Sequence, residues 1–193
     1  MAATPRKEHA MGVSVGLIEL HHIPLGYETV DAMLKAADVE LVRASPSCPG
    51  KFLAIVTGGV GAVECACAAA QRTAGRQAVV CRAIDHLDDA VAEALKARPK
   101  PDKLESFGSI ETRTALSAIL AADIVVKASR VRLICIRMAQ GIGGKGYVNF
   151  TGDIASVRNA IETCKARCGD PSLITSSCAI ATPHEALVSN LLR

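Results

Sequence analysis

Val15-Gly16-Leu17-Ile18-Glu19 and Phe107-Gly108-Ser109-Ile110-Glu111 are two versions of one phrase, set 92 residues apart in a chain of 193. Outward from that pair, the offset of 92 also carries Asp31 onto Asp123, Lys35 onto Lys127, Ala36 onto Ala128, Val39 onto Val131 and Leu41 onto Leu133. Gly50-Lys51 then meets Gly144-Lys145, Thr57-Gly58 meets Thr151-Gly152, and Gly75 meets Gly169, all at 94, so two residues are added between Leu133 and Gly144. His86 meets His184 at 98. One coincidence would carry little. An ordered series broken only by small insertions signals duplication.

Each copy reads strand, helix, strand, strand, helix, strand: an α/β fold of the ferredoxin-like α+β kind. In the first copy, Val13 to Leu20 is apolar and β-rich. Val30, Met33, Leu34 and Ala37 fall at helical spacing within 25–37. Stretches 39–44 and 51–57 read as a strand pair around a Pro- and Gly-containing turn. Residues 62–74 are Ala-rich and stop at Gly75, and 77–84 is the last strand. The second copy repeats this, with Ile119, Ala122 and Val125 on its first helix and a second helix from Ser156 to Cys168. The polar, Pro-rich run Arg98-Pro99-Lys100-Pro101-Asp102-Lys103 reads as a linker. The expected organisation is a flexible extension 1–11, a first domain 12–97, a linker 98–104 and a second domain 105–193.

Half the residues are hydrophobic but only 3% are aromatic and Trp is absent, so Val, Ile, Leu and Ala must fill the core. The net charge of +3 comes from 22 basic and 19 acidic residues in no large block, which argues against nucleic acid or a membrane as partner. No apolar run approaches the roughly 18 residues of a spanning helix, and Met1 to Ala10 has no signal-like apolar stretch. A cytoplasmic chain is expected, its eight cysteines reduced or metal-bound, without a Cys-x-x-Cys zinc pair. No Ser/His/Asp set or paired carboxylate signal is present, so the chain does not read as an enzyme.

Val13-x-x-Gly16-Leu17-Ile18-Glu19, Asp31-Ala32-Met33-Leu34-Lys35 and Gly58-Gly59-Val60-Gly61-Ala62-Val63 resemble the bacterial microcompartment domain. So do Gly152-Asp153-Ile154-Ala155-Ser156-Val157 and Pro183-His184-Glu185 in the second copy. The resemblance implies a shell protein. Two tandem domains would form a homotrimer that imitates a hexameric tile and packs with other shell proteins. Encapsulated redox enzymes are further implied partners, and the location would be a microcompartment shell in the cytoplasm. Lys35 and Lys127 occupy the family's tile-edge lysine, and His86 and His184, as repeat partners, suggest places near an edge. One departure stands out: the family's Pro-Arg-Pro-His is here Ala181-Thr182-Pro183-His184, and Thr182 cannot make an arginine's contacts.

The turn Ser47-Cys48-Pro49-Gly50-Lys51-Phe52, with Met138-Ala139-Gln140-Gly141-Ile142-Gly143-Gly144-Lys145, is similar to the iron–sulfur tandem shell proteins of propanediol-utilisation compartments. That similarity implies a pore lined by Ser47, Cys48, Pro49, Gly50, Gly141, Ile142, Gly143 and Gly144, with Cys48 the ligand of one [4Fe–4S] cluster per trimer. Three thiolates about one axis match the three-fold axis of a cubane. Ile142 stands opposite Cys48 in the second copy, so the site would carry three thiolates rather than six. The implied task is electron transfer or cluster delivery across the shell. Two other readings remain open at this point: the same tile with an open metabolite pore, and a soluble regulatory or electron-carrier protein with ferredoxin-like repeats.

The other cysteines read as structural. Cys65 and Cys67 point about 200° apart on a helix. Cys164 and Cys168 share a face and could chelate, although half-buried packing is commoner. Cys81, Cys135 and Cys178 are expected in strand cores. Gly141-Ile142-Gly143-Gly144 reads as a turn needing positive φ, ahead of an anion-binding nest. His21 and His22 are expected at the surface.

Overall fold

Two four-stranded sheets, each backed by two long helices, carry the duplication into space in a computed structural model that describes residues 13–99, 101 and 103–192. The predicted extension 1–11 and two residues of the predicted linker lie outside the described residues. The first half runs β1 (Ser14–Leu20), α1 (Ile23–Ala36), β2 (Glu40–Ser47), β3 (Lys51–Gly58), α2 (Val60–Ala74), β4 (Ala78–Ile84) and α3 (Asp89–Lys96). The second runs β5 (Ser106–Thr112), α4 (Ser117–Ala128), β6 (Arg132–Met138), β7 (Gly146–Gly152), α5 (Ile154–Arg167), β8 (Ile174–Ile180) and α6 (Glu185–Leu191).

Strand order is β2-β3-β1-β4 and β6-β7-β5-β8, antiparallel throughout. That is the ferredoxin-like order the repeat predicts. Even a local irregularity is duplicated: the register slips between Leu41 and Arg43 in one sheet and between Leu133 and Cys135 in the other. The termini of the long helices follow from residue chemistry. Pro24 sits in the first turn of α1, where its missing N–H costs nothing. Gly75 (φ 54°) and Gly169 (φ 85°) turn the chain out of α2 and α5. Asp153 caps α5 by accepting the Ser156 N–H at 2.8 Å.

One face of each sheet meets its own helices. Ile18, Leu20, Phe52, Ala54 and Val56 pack on Val30, Met33, Val63 and Ala66 of α1 and α2. Ile110, Val148 and Phe150 do the same with Ile119, Val157 and Ile161. Gly26 lets α1 come down on Phe52: a Cβ there would lie 2.2 Å from the ring.

Three expectations need correction. The short helices α3 and α6 follow the last strands, where the sequence pattern was read no further. Both are capped alike: Asp88 accepts the Ala90 N–H, and His184 accepts the Ala186 N–H through Nδ1. His184 is therefore the counterpart of Asp88, at the offset of 96 that also relates Ile84 to Ile180 in the strand register, and the pairing with His86 fails. His86 instead takes a positive φ of 50° in the preceding turn. Finally, Cys178 is exposed and Cys81 half-buried; all three cysteines lie on edge strands, and only Cys135 is core, its strand β6 being the one on which α3 packs.

Candidate functional site

Two hairpin turns, one from each half, come together at one end of the molecule. In the first, Ser47 pairs with Lys51, and the Gly50 N–H donates to the Ser47 carbonyl at 2.9 Å. Gly50 takes φ 83°, a conformation that favours glycine. In the second, the Ala139 N–H donates to the Lys145 carbonyl at 2.9 Å, and Gly141, Gly143 and Gly144 all have positive φ. The two-residue insertion thus lies in this turn, and its glycines serve its curvature. The turns touch: a Cβ on Gly144 would lie 2.8 Å from Cδ of Pro49 and 3.3 Å from the Cys48 carbonyl oxygen. A side chain at Gly144 would push them apart.

Cys48, Pro49, Gly50, Gly141 and Gly143 are exposed at this place, Ser47 and Ile142 are half-buried, and Gly144 is buried. Cys48 is a free thiol at the tip of its turn. Among the described residues of one chain, no three His, Cys, Asp or Glu side chains gather as metal ligands. Among the described residues, a single chain therefore brings one cysteine sulfur to this place.

Each turn is tied to the central strand of its own sheet by a lysine–glutamate pair. Lys51 Nζ meets Glu19 Oε1 at 2.7 Å, and Lys145 Nζ meets Glu111 Oε1 at 2.8 Å. The settings differ. Glu19 is 0% exposed and Lys51 17%. Glu19 also accepts the Leu116 N–H at the start of α4 (3.2 Å), so one carboxylate joins the first turn, the first sheet and the second half. Glu111 stays near solvent, and its second partner is the Thr175 hydroxyl at 2.6 Å. Lys145 and Thr175 hold the Glu111 carboxyl below its ordinary pKa.

The joint between halves is extensive. Val15, Leu17, Leu53 and Ile55 share a core with Leu116 and Ile119 of α4. Arg82 donates to the Cys168 carbonyl at the end of α5 (3.2 Å), where a helix C-terminus favours a cation. Across the joint, Asp123 accepts the Asp88 N–H at 2.9 Å, and Lys127 donates to the His86 carbonyl at 2.8 Å while paired with Asp123. Lys35 pairs with Asp31 at 2.6 Å in solvent. The residues singled out from sequence thus separate: Lys127 and His86 belong to the joint, Lys35 is exposed, and His184 caps α6.

Glu19, Arg82 and α3 escaped the sequence reading. The signal for a second buried face was present: Phe52-Leu53-Ala54-Ile55-Val56 is apolar without interruption, whereas Tyr147-Val148-Asn149-Phe150-Thr151 alternates. Cys164 and Cys168 are buried, and burial pushes the Cys164 thiol up to about 12, which suits packing rather than ligation.

Comparison with known proteins agrees with this geometry. The BMC domain family model matches residues 14–87 and again 106–183. The chain is 38% identical over 177 residues to the bacterial microcompartment shell protein PduT of Citrobacter freundii, covering 92% of this chain and 96% of that one. A stretch of 81 residues is 32% identical to the shell protein EutM of Salmonella typhimurium, spanning 42% of this chain and 82% of EutM. A crystal structure of a microcompartment protein from Desulfitobacterium hafniense superposes with a TM-score of 0.79 at 34% identity, covering 92% of this chain and 98% of that one.

Proposed function

Because this chain belongs to the BMC-domain family, as a structural shell protein of bacterial microcompartments, we propose that three copies form one tile whose Cys48 thiolates jointly hold a [4Fe–4S] cluster. The observation that carries this reading is the placement of Cys48: an exposed, free thiol at the tip of a turn that meshes with the other half's turn. A lone thiolate makes no metal site. Three related by a rotation axis supply the soft, anionic donors that iron–sulfur clusters take, one fewer than the usual set, with one iron left open.

The chain's own residues would set such a site in three ways. Gly50 and Gly144 give the turns the curvature and close approach that bring Cys48 to their meeting place. The Glu19–Lys51 pair fixes the base of the cysteine turn to a buried strand, so the thiolate is carried by a rigid element. Pro49, packed at Gly144, holds the turns against each other. When bound, the cluster would supply one-electron chemistry at the middle of the tile, which suits electron passage or cluster transfer across a shell.

The test is iron and acid-labile sulfide content after anaerobic reconstitution, with EPR, on wild type and Cys48→Ser. About four irons per three chains, lost in Cys48→Ser while assembly persists, is the expected result. Absence of iron from the wild type would sink the cluster and leave a tile whose central turns line an open metabolite path. Equal iron in both proteins would move the cluster away from Cys48.

A further inference from the structure

Cys67 on α2 and Cys81 on β4 stand 14 residues apart in sequence and side by side in the first half. The Cys81 thiol donates to the Cys67 carbonyl at 3.3 Å, and the two thiols are in hydrogen-bond contact with each other. Gly16 on β1 leaves them room, since a Cβ there would lie 3.0 Å from Cys67 Sγ. The two settings are unequal. Cys67 is 8% exposed in the core under α2, whereas Cys81 is half-buried on an edge strand, within reach of a small solute. The hydrogen bond from Cys67 holds the Cys81 thiol below its ordinary range, against the opposing effect of burial. The same bond, and burial after it, pushes the Cys67 thiol up. The second half keeps neither sulfur: Ile161 stands at the place of Cys67, at the offset of 94 shared by Gly75 and Gly169, and Ser177 takes the strand position of Cys81.

We infer that Cys67 and Cys81 form a thiol–disulfide couple: a peroxide oxidises Cys81, and Cys67 closes the bond that staples α2 to β4. The Cys81 thiolate attacks one peroxide oxygen, the O–O bond breaks, and hydroxide leaves. Cys81 is then a sulfenic acid. The Cys67 sulfur attacks the Cys81 sulfur, the S–S bond forms and the S–O bond breaks, and the sulfenic oxygen departs as water with the Cys67 proton. The Cys81 proton and the hydroxide make the second water. Two thiols and one hydrogen peroxide thus give one disulfide and two waters, with two electrons passing from the sulfurs to the peroxide. The exposed partner reacts first and the buried one resolves it, which is the order that their settings allow. The staple acts where the halves meet, because the next residue on β4 is Arg82, which bonds the Cys168 carbonyl of the other half. A cross-link here also restricts the unfolded chain, so the oxidised protein is the more stable one. Neither Cys48 nor the number of copies enters this inference.

Peptide mapping of the full chain tests it. Protein purified without oxygen is treated with hydrogen peroxide, blocked with iodoacetamide, unfolded and digested with trypsin. The expected product joins the peptide Phe52–Arg72 to Gln77–Arg82, lighter than the two reduced peptides together by two hydrogens. Fragmentation should place the bond at Cys67 and leave its exposed neighbour Cys65 outside it. Oxidation should raise the thermal melt, and dithiothreitol should restore it. Cys81→Ser installs the residue that the second half carries at this strand position, so it should fold, lose the cross-linked peptide and lose the redox shift of the melt. In Cys67→Ala the Cys81 sulfenic acid meets no thiol, so its labelling by dimedone should rise several-fold over wild type. Should Cys67→Ala fail to fold, the peptide map and Cys81→Ser decide. Peroxide-treated wild type in which Cys67 stays free for iodoacetamide, or a bond from Cys81 to Cys65 or to another chain, would overturn the couple.

Discussion

Leu17, Leu53 and Ile55 line the face of the first sheet that is turned away from its own helices; Ser109, Tyr147 and Asn149 hold the same register positions in the second. Arg82 and Val80 likewise become Cys178 and Ser176. In the second sheet the face is wetted by its own chemistry, with the Ser109 hydroxyl bonded to Asn149 Oδ1 at 2.7 Å. The centre of the helix-side face stays apolar, Ile18, Ala54 and Val56 becoming Ile110, Val148 and Phe150, and polarity enters only at Thr112, in place of Leu20, and at Ser177 on the edge strand, in place of Cys81. A face whose partner is attached to the same chain can be apolar, because high effective concentration keeps it covered from the moment of folding. A face that meets water before it meets a partner gains from polar groups, since a large bare apolar patch invites wrong contacts. Duplication kept the fold, while each outer face was left to follow its exposure.

The largest test of this contrast is at the paired glutamates. Glu19→Ala leaves the Lys51 ammonium and the Leu116 N–H without their buried partner, and should cost about 4 kcal/mol in denaturant melts. Glu111→Ala removes a pair that solvent already screens and should cost under about 1 kcal/mol. Equal losses would mean that the two joints are alike after all. Next comes the exchange of face residues. Leu17→Ala should cost about 3 kcal/mol through the cavity it opens against α4, and Ser109→Leu should change the melt little while promoting self-association visible by light scattering. The smallest effect concerns the helix caps. Asp153 caps α5, while Gly59, at the same place on α2, brings no side chain. Hydrogen bonds from Ser156 hold the Asp153 carboxyl below its ordinary 3.8. Its folded pKa is depressed, so its contribution is present above the unfolded value and lost as pH falls through the folded one. The melt of Asp153→Asn should therefore differ from wild type at pH 6 and converge on it below pH 3.8.

The repeat made the sheets, the long helices and the two turns legible, because each rests on local signals: apolar periodicity, Pro24 at a helix start, Gly75 and Gly169 at helix ends. What stayed hidden depends on the other half. Val91 and Leu95 lie on one side of a helix of only eight residues, and that side is meaningful only once β6 and α4 arrive beneath it. The joint itself is half legible, in the unbroken apolar run of β3, which a strand with one buried face does not require. Matching His86 to His184 fails because identical letters outweigh geometry: the match at 98 is two residues out of step with the turns themselves, which align at 96 from strand end to helix cap. Cys48 was singled out from a short resemblance. The structure adds its exposure and the contact between its turn and Gly144.

The connection from Lys96 to Ser106 is a single covalent span between unlike halves. Any ring assembled head to tail from such chains inherits a parity rule: cysteine-bearing and glycine-rich turns must alternate, since neither kind can be recruited without the other. Separate single-domain subunits could mix in every proportion and would have to sort themselves by affinity. In such a ring the count of thiols about the axis would be written in peptide bonds, equal to the number of chains whatever the expression level.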